Sequence, residues 1–398
     1  MQFSVPSYAL SALGILEDAG HEAYFVGGCV RDILRGAAPH DYDMATAALP
    51  EEILAAFSGY RTIKTGIRHG TVTVLVDRMP IEITTYRTDG LYTDHRRPDS
   101  VAFSRNLKED LARRDFTVNA MALHPIRGLV DPFGGQGDLA AGVIRAVGDP
   151  YLRFDEDALR ILRALRFSAR LGFSLDRETA AAARSRADTL VRIAKERIRE
   201  ELFGILLADK ATSVLYEYAD ILSAVLPEGR ATESLASLPA SIVLRLAEYL
   251  FASGEKAAVA ALARLRTDKA TISRVETVIR LASSEIPPCR PALCRLLREV
   301  GESAVREAIL LGSVHGMDGA AALDELDGIL ADGVPYTLRD LALSGDDVVA
   351  AGVERGPLVG RMLEALYGEV IEGRLANEPR ALLERLRGMR ETSKKGGV

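Results

Sequence analysis

The 398-residue chain contains no tryptophan, few aromatic residues (6%) and only three cysteines, Cys29, Cys289 and Cys294. An odd number of cysteines without CxxC spacing excludes a disulfide framework and argues against a zinc site, which fits a reducing compartment. No apolar run approaches the roughly 18 residues that span a bilayer. The first residues also lack the basic start and apolar stretch of a secretory signal. We therefore expect a cytoplasmic protein that contacts no membrane.

The composition is that of a globular protein, with 48% hydrophobic and 27% charged residues. A chain of this length is too long for one ordinary core and predicts two to four packed units. The formal net charge is −6, but the basic residues are concentrated. Residues 151–200 contain 12 Arg and Lys against eight acids. A polyanion would bind best to that segment, because local charge counts for more than net charge.

Local patterns divide the chain into a mixed first part and a helical remainder. Residues 23–26 form an apolar, strand-like run that ends at Gly27-Gly28, and a helix is predicted from Val30. The β-branched runs at 71–76 and 81–86 predict a hairpin, and residues 89–98 a loop. After residue 150 helical periodicity dominates, with breaks near 226–229, 285–288 and 333–335. A polar tail from Arg390 is expected to be frayed.

Asp41 and Asp43 are separated by one residue, in the run His40-Asp41-Tyr42-Asp43. On a strand, residues i and i+2 point to the same face, so both carboxylates reach one site. Two adjacent carboxylates repel each other unless a cation lies between them, and two-metal phosphoryl transfer uses such a pair. Magnesium suits oxygen ligands and nucleotide phosphates. An isolated DxD pattern is more often a solvated surface turn, so its context decides.

Two further features support a phosphate-binding site near these aspartates. Gly27 and Gly28 stand where a strand gives way to a helix, which lets the backbone approach a phosphate closely. Glu82, on a later strand, is a candidate third carboxylate, although an outward-facing strand residue fits equally well. The chain contains no GxxxxGK[ST] sequence, so a P-loop mechanism is not supported.

Asp155-Glu156-Asp157 is expected to open one helix that continues through Arg170. At 100° per residue, the arginines of this segment fall on one side and its apolar residues on the other. The polar side holds Arg160, Arg163, Arg166 and Arg170, with acids only at the start of the helix. Such crowding predicts an anionic ligand, since a solvated face usually mixes lysine, glutamate and arginine.

Asp157 and Arg160 also suit the reading of a nucleobase. A carboxylate accepts hydrogen bonds and a guanidinium only donates them. Cytosine and adenine each present an amino donor and a ring acceptor, whereas uracil and guanine place a carbonyl where the amino group would be. An Asp/Arg pair can therefore accept C and A and reject U and G.

Five motifs follow one another along the chain. They are Gly27-Gly28-Cys29-Val30-Arg31-Asp32, His40-Asp41-Tyr42-Asp43, Tyr86-Arg87-Thr88-Asp89-Gly90 with Asp94-His95-Arg96-Arg97-Pro98, Arg113-Arg114-Asp115-Phe116, and Glu156-Asp157 with Arg160, Arg163 and Arg166. In this order they resemble the motifs of the bacterial class II tRNA nucleotidyltransferases, the CCA-adding enzyme and poly(A) polymerase family. The resemblance covers nearly the whole chain, and five ordered motifs are far more specific than any one of them.

The resemblance implies an α+β multi-domain fold, with a polymerase-β-like nucleotidyltransferase head followed by an all-α neck, body and tail. The corresponding segments are 1–146, 147–205, 206–330 and 331–398, the last three carrying tRNA. It implies template-independent addition of CCA to the 3′ end of tRNA from CTP and ATP, with Mg²⁺ as cofactor. The resemblance implies that Asp41 and Asp43 bind the metal, and that the nucleotide is bound by Gly28, Arg31, Arg114, Asp157, Arg160, Arg163 and Arg166. The predicted catalytic residues are Asp41 and Asp43, with Glu82 as the candidate third carboxylate.

Several alternatives stay open at this point. Relatives that add only A fit the same motifs, whereas CC-only relatives are disfavoured because residues 89–98 are intact. A poly(A) polymerase is expected to carry longer basic extensions, and a non-catalytic RNA-binding protein would not need the aspartate pair. An added HD phosphohydrolase domain is not expected, since only His315 of the six histidines lies beyond the neck. No protein partner is identifiable.

Overall fold

The computed structural model describes residues 5–89 and 101–395. The predicted loop at 89–98 lies almost entirely outside this range, as do residues 396–398. The chain folds into two compact units, Met1–Ala231 and Thr232–Val398. The division at residue 231 falls within the segment 206–330, and the predicted boundaries at 146, 205 and 330 stay predictions. None of the described helices is long and apolar enough to cross a membrane.

The β-strands lie in the first part of the chain, and most of them form one largely antiparallel sheet. In the described residues the strands are β1 (Ala23–Val26), β2 (Asp43–Thr46), β3 (Arg61–Ile63), β4 (Thr71–Val76), β5 (Met79–Thr85), β6 (Arg87–Asp89), β7 (Val101–Phe103), β8 (Ala122–His124), β9 (Gly128–Val130), β10 (Val143–Ile144) and β11 (Ser174–Leu175). Seven of them form one sheet in the order β3-β4-β5-β2-β1-β8-β9, in which only the β2–β5 pair is parallel.

The predicted hairpin is confirmed, with a tighter turn than expected. β4 and β5 are joined by Asp77 and Arg78 alone, both with positive φ (50° and 66°). Two left-handed residues give a turn whose twist matches that of the strands. The alternation along β4 buries Val72, Val74 and Val76 in the head core.

Helices make up most of the rest of the chain, as predicted. The helices of the first unit are α1 (Ser7–Asp18), α2 (Gly28–Leu34), α3 (Pro50–Ala56), α4 (Leu107–Ala112), α5 (Gly135–Ala141), α6 (Pro150–Glu156), α7 (Leu159–Leu171), α8 (Arg177–Ser185), α9 (Lys195–Leu206), α10 (Ala211–Glu217) and α11 (Ala219–Ser223). α7 packs against α9 and α10, which buries its apolar side.

The second unit is entirely helical in its described residues. Its helices are α12 (Ile242–Leu250), α13 (Glu255–Arg264), α14 (Lys269–Ala282), α15 (Arg290–Val300), α16 (Glu302–Val314), α17 (Ala320–Ala331), α18 (Gly345–Ala350), α19 (Pro357–Ile371) and α20 (Pro379–Lys395). The three predicted breaks fall between helices. The expectation of a frayed tail from Arg390 is wrong as far as Lys395, because α20 continues to that residue.

Candidate active site

The predicted site residues gather around one cavity of about 710 Å³ in the first unit. Its walls come from the Gly27–Gly28 turn, the segment before β2, the segment after α4, and helices α7 and α9. Eight arginines and five aspartates line it. The predicted residues among its lining are Gly28, Arg31, Asp41, Asp43, Arg114, Asp157, Arg160, Arg163 and Arg166.

The two motif aspartates enter this cavity from the edge of β2. Asp43 is the first residue of the strand, and Asp41 lies two residues earlier, whereas Tyr42 between them is buried in the head core. Burial raises the pKa of Asp43 to about 6, and the charges of Asp41 and Glu82 act in the same direction against the opposing effect of Arg114. Negative charge is therefore crowded at this point of the wall.

Glu82 is close to this pair but does not line the cavity. In the parallel register of β2 and β5 it stands opposite Asp43, and its side chain is exposed. Over the residues that the structure describes, no three His, Cys, Asp or Glu side chains are arranged to hold a metal ion. Glu82 thus acts on Asp43 through its charge, and its role as a third carboxylate stays a prediction.

The Gly27–Gly28 turn leaves room for an arginine of the Arg113-Arg114 motif. Gly27 has a φ of 75°, and a Cβ built there would lie 3.2 Å from Nη1 of Arg114. Arg114 also donates through Nη2 to Asp110 at 3.0 Å, and Arg113 donates to the same buried carboxylate at 2.7 Å. Burial alone would raise the pKa of Asp110, but the two arginines lower it. Asp110 therefore stays ionised and holds both arginines at the cavity.

Asp115 ties the head segment to helix α7. Its Oδ2 accepts from Nε and Nη2 of Arg163, at 3.0 and 2.7 Å. Its Oδ1 accepts from the amide of Asn119 at 3.3 Å, and Asn119 in turn accepts from Arg31 at 2.9 Å. Burial opposes ionisation of Asp115, yet Arg163 and these hydrogen bonds lower its pKa. Arg31 and Arg163 are thus held by one continuous network.

The expectation of a single helix from Asp155 to Arg170 is wrong. Helix α6 begins at Pro150, capped by Asp149, and ends at Glu156. Asp157 is extended (φ −143°, ψ 101°), and its Oδ1 accepts from the backbone N–H of Leu159 at the start of α7. The acids therefore close one helix and cap the next. Sequence periodicity could not show this break, because the apolar side runs through it without interruption.

Three arginines of α7 have acidic partners within the protein, although their crowding predicted an anionic ligand. Arg160 donates to Glu156 at 2.5 Å, Arg163 to Asp115, and Arg166 to Glu201 of α9 at 2.5 Å. All three acids lie outside α7, and Asp115 and Glu201 are distant from it in sequence, so the helix sequence alone could not reveal these two. Carboxylates of the protein itself offset the crowding that seemed to require an anion.

Asp157 and Arg160 line the same cavity, and the side chain of each binds other residues. Asp157 Oδ2 accepts from Nη2 of Arg197 at 3.0 Å. Arg160 donates to Glu156 and to the carbonyls of Arg153 and Arg113. Each side chain is thereby fixed by other residues. Three hydrogen bonds leave part of the five-donor capacity of Arg160 unused, and a carboxylate has about four acceptor positions.

Several lining residues were missed by the sequence predictions. Arg197 of α9 binds Asp157, and the ring of Phe167 lies 4.7 to 5.5 Å from the guanidinium carbons of three arginines. Asn119 links Arg31 to Asp115. Arg197 belongs to the basic segment 151–200, which was the available signal, whereas no sequence feature had singled out Phe167.

Two buried nitrogens of the cavity arginines have no acceptor among the described residues. They are Nε of Arg114 and Nη1 of Arg197. A buried donor without an acceptor is costly, and native structures leave few of them. Their presence in the wall indicates a cavity completed by a ligand that offers acceptor atoms.

Three family models match consecutive parts of the chain. The poly A polymerase head domain matches residues 23–145, which contain the seven-stranded sheet. The probable RNA and SrmB-binding site of polymerase A matches residues 172–231, and a putative tRNA nucleotidyltransferase domain 2 matches residues 246–386.

Relatives that match almost the whole chain indicate the same family as the three family models. The chain is 40% identical over 389 residues to the CCA-adding enzyme of Limosilactobacillus fermentum, covering 94% of each protein. It is 38% identical to that of Levilactobacillus brevis, covering 94% of this chain and 96% of the relative. The crystal structure of the Bacillus stearothermophilus CCA-adding enzyme in complex with CTP superposes with a TM-score of 0.79 at 29% identity, covering 98% of this chain and 100% of that one. The predicted fold of a mixed head followed by a helical remainder is thus confirmed, and the chain belongs to the class II CCA-adding enzyme family.

Proposed function

We propose that this protein adds the 3′-terminal CCA to tRNA, using CTP and ATP without a nucleic-acid template. The observation that carries the proposal is the single cavity that brings the aspartate pair together with Asp157 and Arg160. One part of its wall suits phosphate chemistry and the other suits base selection. Relatives that are about 40% identical over almost their whole length are CCA-adding enzymes.

Asp41 and Asp43 are the residues that would hold magnesium. Burial, followed by the charges of Asp41 and Glu82, raises the pKa of Asp43 against the opposing effect of Arg114, so a cation bound by the pair would stabilise the ionised carboxylates. Two carboxylates with the phosphates of a nucleotide form the all-oxygen ligand set that Mg²⁺ prefers. When bound, the metal would lower the pKa of the attacking hydroxyl and stabilise charge on the transferred phosphate.

The remaining residues of the cavity position the reactants. Arg31 and Arg114, together with the Gly28 backbone, would bind the triphosphate in the head, and Arg163 and Arg166 would help to hold the nucleotide. The 3′-hydroxyl oxygen of the RNA then bonds to the α-phosphorus as the bond to pyrophosphate breaks. Arginines fixed by carboxylates suit this role, because bound side chains lose less entropy when the nucleotide arrives.

Asp157 and Arg160 would select the base. With one oxygen committed to Arg197 and the other to the α7 backbone, Asp157 keeps lone pairs that can accept from the amino group of cytosine or adenine. A uracil or guanine carbonyl would face this carboxylate without a donor, at a cost of about 1–3 kcal/mol. The neck, body and tail segments would carry the tRNA, and we retain the predicted boundaries and cytoplasmic location as part of this proposal.

The experiment that tests this function offers purified protein a tRNA that lacks its 3′ CCA. Parallel reactions contain CTP alone, ATP alone or both, with and without Mg²⁺, and product lengths are read on a sequencing gel. A matched sample of the Asp41→Ala variant controls for contaminating transferases. We expect CC with CTP alone, CCA with both, and no product without the metal.

Other products would contradict the proposal in distinct ways. A single A added only to tRNA ending in CC would identify an A-adding enzyme, and a long A tract a poly(A) polymerase. RNA binding without any product would identify a non-catalytic RNA-binding protein.

A further inference from the structure

A second, smaller cavity shares two lining arginines with the first. It has a volume of about 310 Å³ and is lined by Arg166, Arg170, Gly204, Leu207, Ala208 and Asp209. Arg166 and Arg170 also line the larger cavity. The two cavities therefore share this part of their walls.

Arg170 differs from the other arginines of the larger cavity because it donates to no carboxylate among the described residues. Each of the other seven donates to a carboxylate, as Arg166 does to Glu201. Arg170 is exposed, and among the residues that the structure describes it has no ion pair or hydrogen bond from its side chain. One uncompensated positive charge therefore lies at the junction of the two cavities.

The rest of the lining of the small cavity is apolar except for Asp209. Leu207 is 40% exposed, although it is a large hydrophobic residue, and it lies beside Ala208 and the bare backbone of Gly204. Asp209 adds an exposed acceptor, which suits a ribose 2′-hydroxyl. The segment is held against the end of α7 by a 3.1 Å hydrogen bond from Lys210 N to Ala169 O. A volume of this size is at the lower limit of ligand pockets and fits one nucleotide rather than a duplex.

We propose that this second cavity binds a nucleotide of the acceptor RNA strand close to its 3′ end, with Arg170 on its phosphodiester and Leu207 against its base. The inference rests on the function proposed above and adds the position of the RNA strand. A phosphodiester carries one negative charge, and Arg170 can pair with it because its side chain has no carboxylate partner among the described residues. The triphosphate of CTP carries several, and the cations it needs belong to the aspartate end of the larger cavity.

The test separates RNA binding from nucleotide binding. Affinity for tRNA lacking CCA is measured by fluorescence anisotropy without CTP or ATP, at several salt concentrations. KM for CTP is measured separately with saturating RNA. The variants are Arg170→Ala and Arg170→Lys, and the matched control is Arg177→Ala, an exposed arginine of α8 that lines neither cavity.

We expect Arg170→Ala to weaken RNA binding by about 3–10-fold and to reduce the slope of log K against log salt by about 0.7–0.9. Arg170→Lys should keep most of the affinity, since the role needs a charge. KM for CTP should stay within about twofold, and Arg177→Ala should change neither quantity. Leu207→Ser should weaken RNA binding without altering the salt slope.

Two results would overturn the inference. If Arg170→Ala raised KM for CTP and left RNA affinity unchanged, the cavity would serve the triphosphate. If RNA affinity and salt slope matched those of Arg177→Ala, Arg170 would hold no phosphate. Wild-type protein that binds RNA but adds no nucleotide would contradict the proposed function alone, because the equilibrium measurement does not depend on catalysis.

Discussion

Replacing Gly204 by alanine should disturb the active site through one methyl group. Gly204 lies in α9 where that helix meets Arg166 of α7. A Cβ at this position would be 2.5 Å from Cδ of Arg166 and 3.2 Å from its Cγ. The far end of the same side chain is held by Glu201 at 2.5 Å and by the ring of Phe167 at 4.7 Å. The stem therefore has to move while its end is restrained.

Two opposing effects set the magnitude. Alanine in a helix interior is favoured over glycine by about 1 kcal/mol. Overpacking in a well-packed region costs about 1–3 kcal/mol. Gly14 of α1 provides the matched control, because a Cβ there would meet nothing within 4 Å. Gly14→Ala should therefore stabilise by about 0.5–1 kcal/mol, and Gly204→Ala should be about 1–3 kcal/mol less favourable than that.

The assay combines thermal unfolding with nucleotide kinetics. A difference of 1 kcal/mol corresponds to about 2–4 °C in Tm for a domain of 150–250 residues. Gly14→Ala should raise Tm, whereas Gly204→Ala should leave it unchanged or lower it. Gly204→Ala should also raise KM for CTP by about 3–10-fold, because the displaced guanidinium no longer faces the nucleotide. When Gly204→Ala is combined with Arg166→Ala, the double variant should have almost the same KM for CTP as Arg166→Ala alone, since both changes act on one side chain.

Equal behaviour of the two alanine variants would refute this expectation. An equal rise in Tm, with an unchanged KM for CTP in both, would mean that Arg166 adapts to the added methyl group without loss. Additive kinetic losses in the Gly204/Arg166 double variant would place the effect of Gly204 elsewhere.

Three further outcomes are expected. Asp43→Asn should lower the rate of nucleotide addition by roughly 10²-fold or more. In metal-free buffer it should keep or raise Tm, because it removes one of several crowded negative charges. A clear fall in Tm would contradict this explanation. Arg197→Ala should weaken discrimination against UTP and GTP, measured as ratios of kcat/KM, because Asp157 loses the partner that orients its carboxylate. Unchanged ratios would show that Arg197 does not position Asp157. Burial raises the pKa of Cys29 to about 12 and that of Cys294 to about 11. At pH 8 a thiol reagent should therefore label only the exposed Cys289 rapidly. Fast labelling of a second cysteine would contradict the burial of the other two.

Elements with a strong local signal were predictable from the sequence. The hairpin at β4 and β5 carries β-branched alternation, and the Gly27–Gly28 turn marks a change from strand to helix. Both are confirmed because their causes lie within a few residues. The predicted nucleotide-binding residues were identified from the ordered motifs, and they line one cavity.

The partners of the arginines could not be predicted in this way. Asp115 binds Arg163 over 48 positions of sequence, and Glu201 binds Arg166 over 35. Helical periodicity places residues on a side of one helix and contains nothing about what another element brings to that side. The same limit explains why Arg197, which binds Asp157 over 40 positions of sequence, was not among the predicted site residues.

These partners change how the arginine row works. An unpaired row would attract any polyanion by charge alone, and its side chains would move freely until one arrived. Carboxylates that offset most of that charge leave directional N–H groups, whose positions are set by hydrogen bonds of 2.5 to 3.0 Å. Selection between bases requires fixed directions, since a mobile donor would follow a carbonyl as readily as a ring nitrogen. The balance of charge in the cavity therefore favours discrimination over affinity, and it leaves Arg170 as the side chain whose charge is available to the RNA backbone.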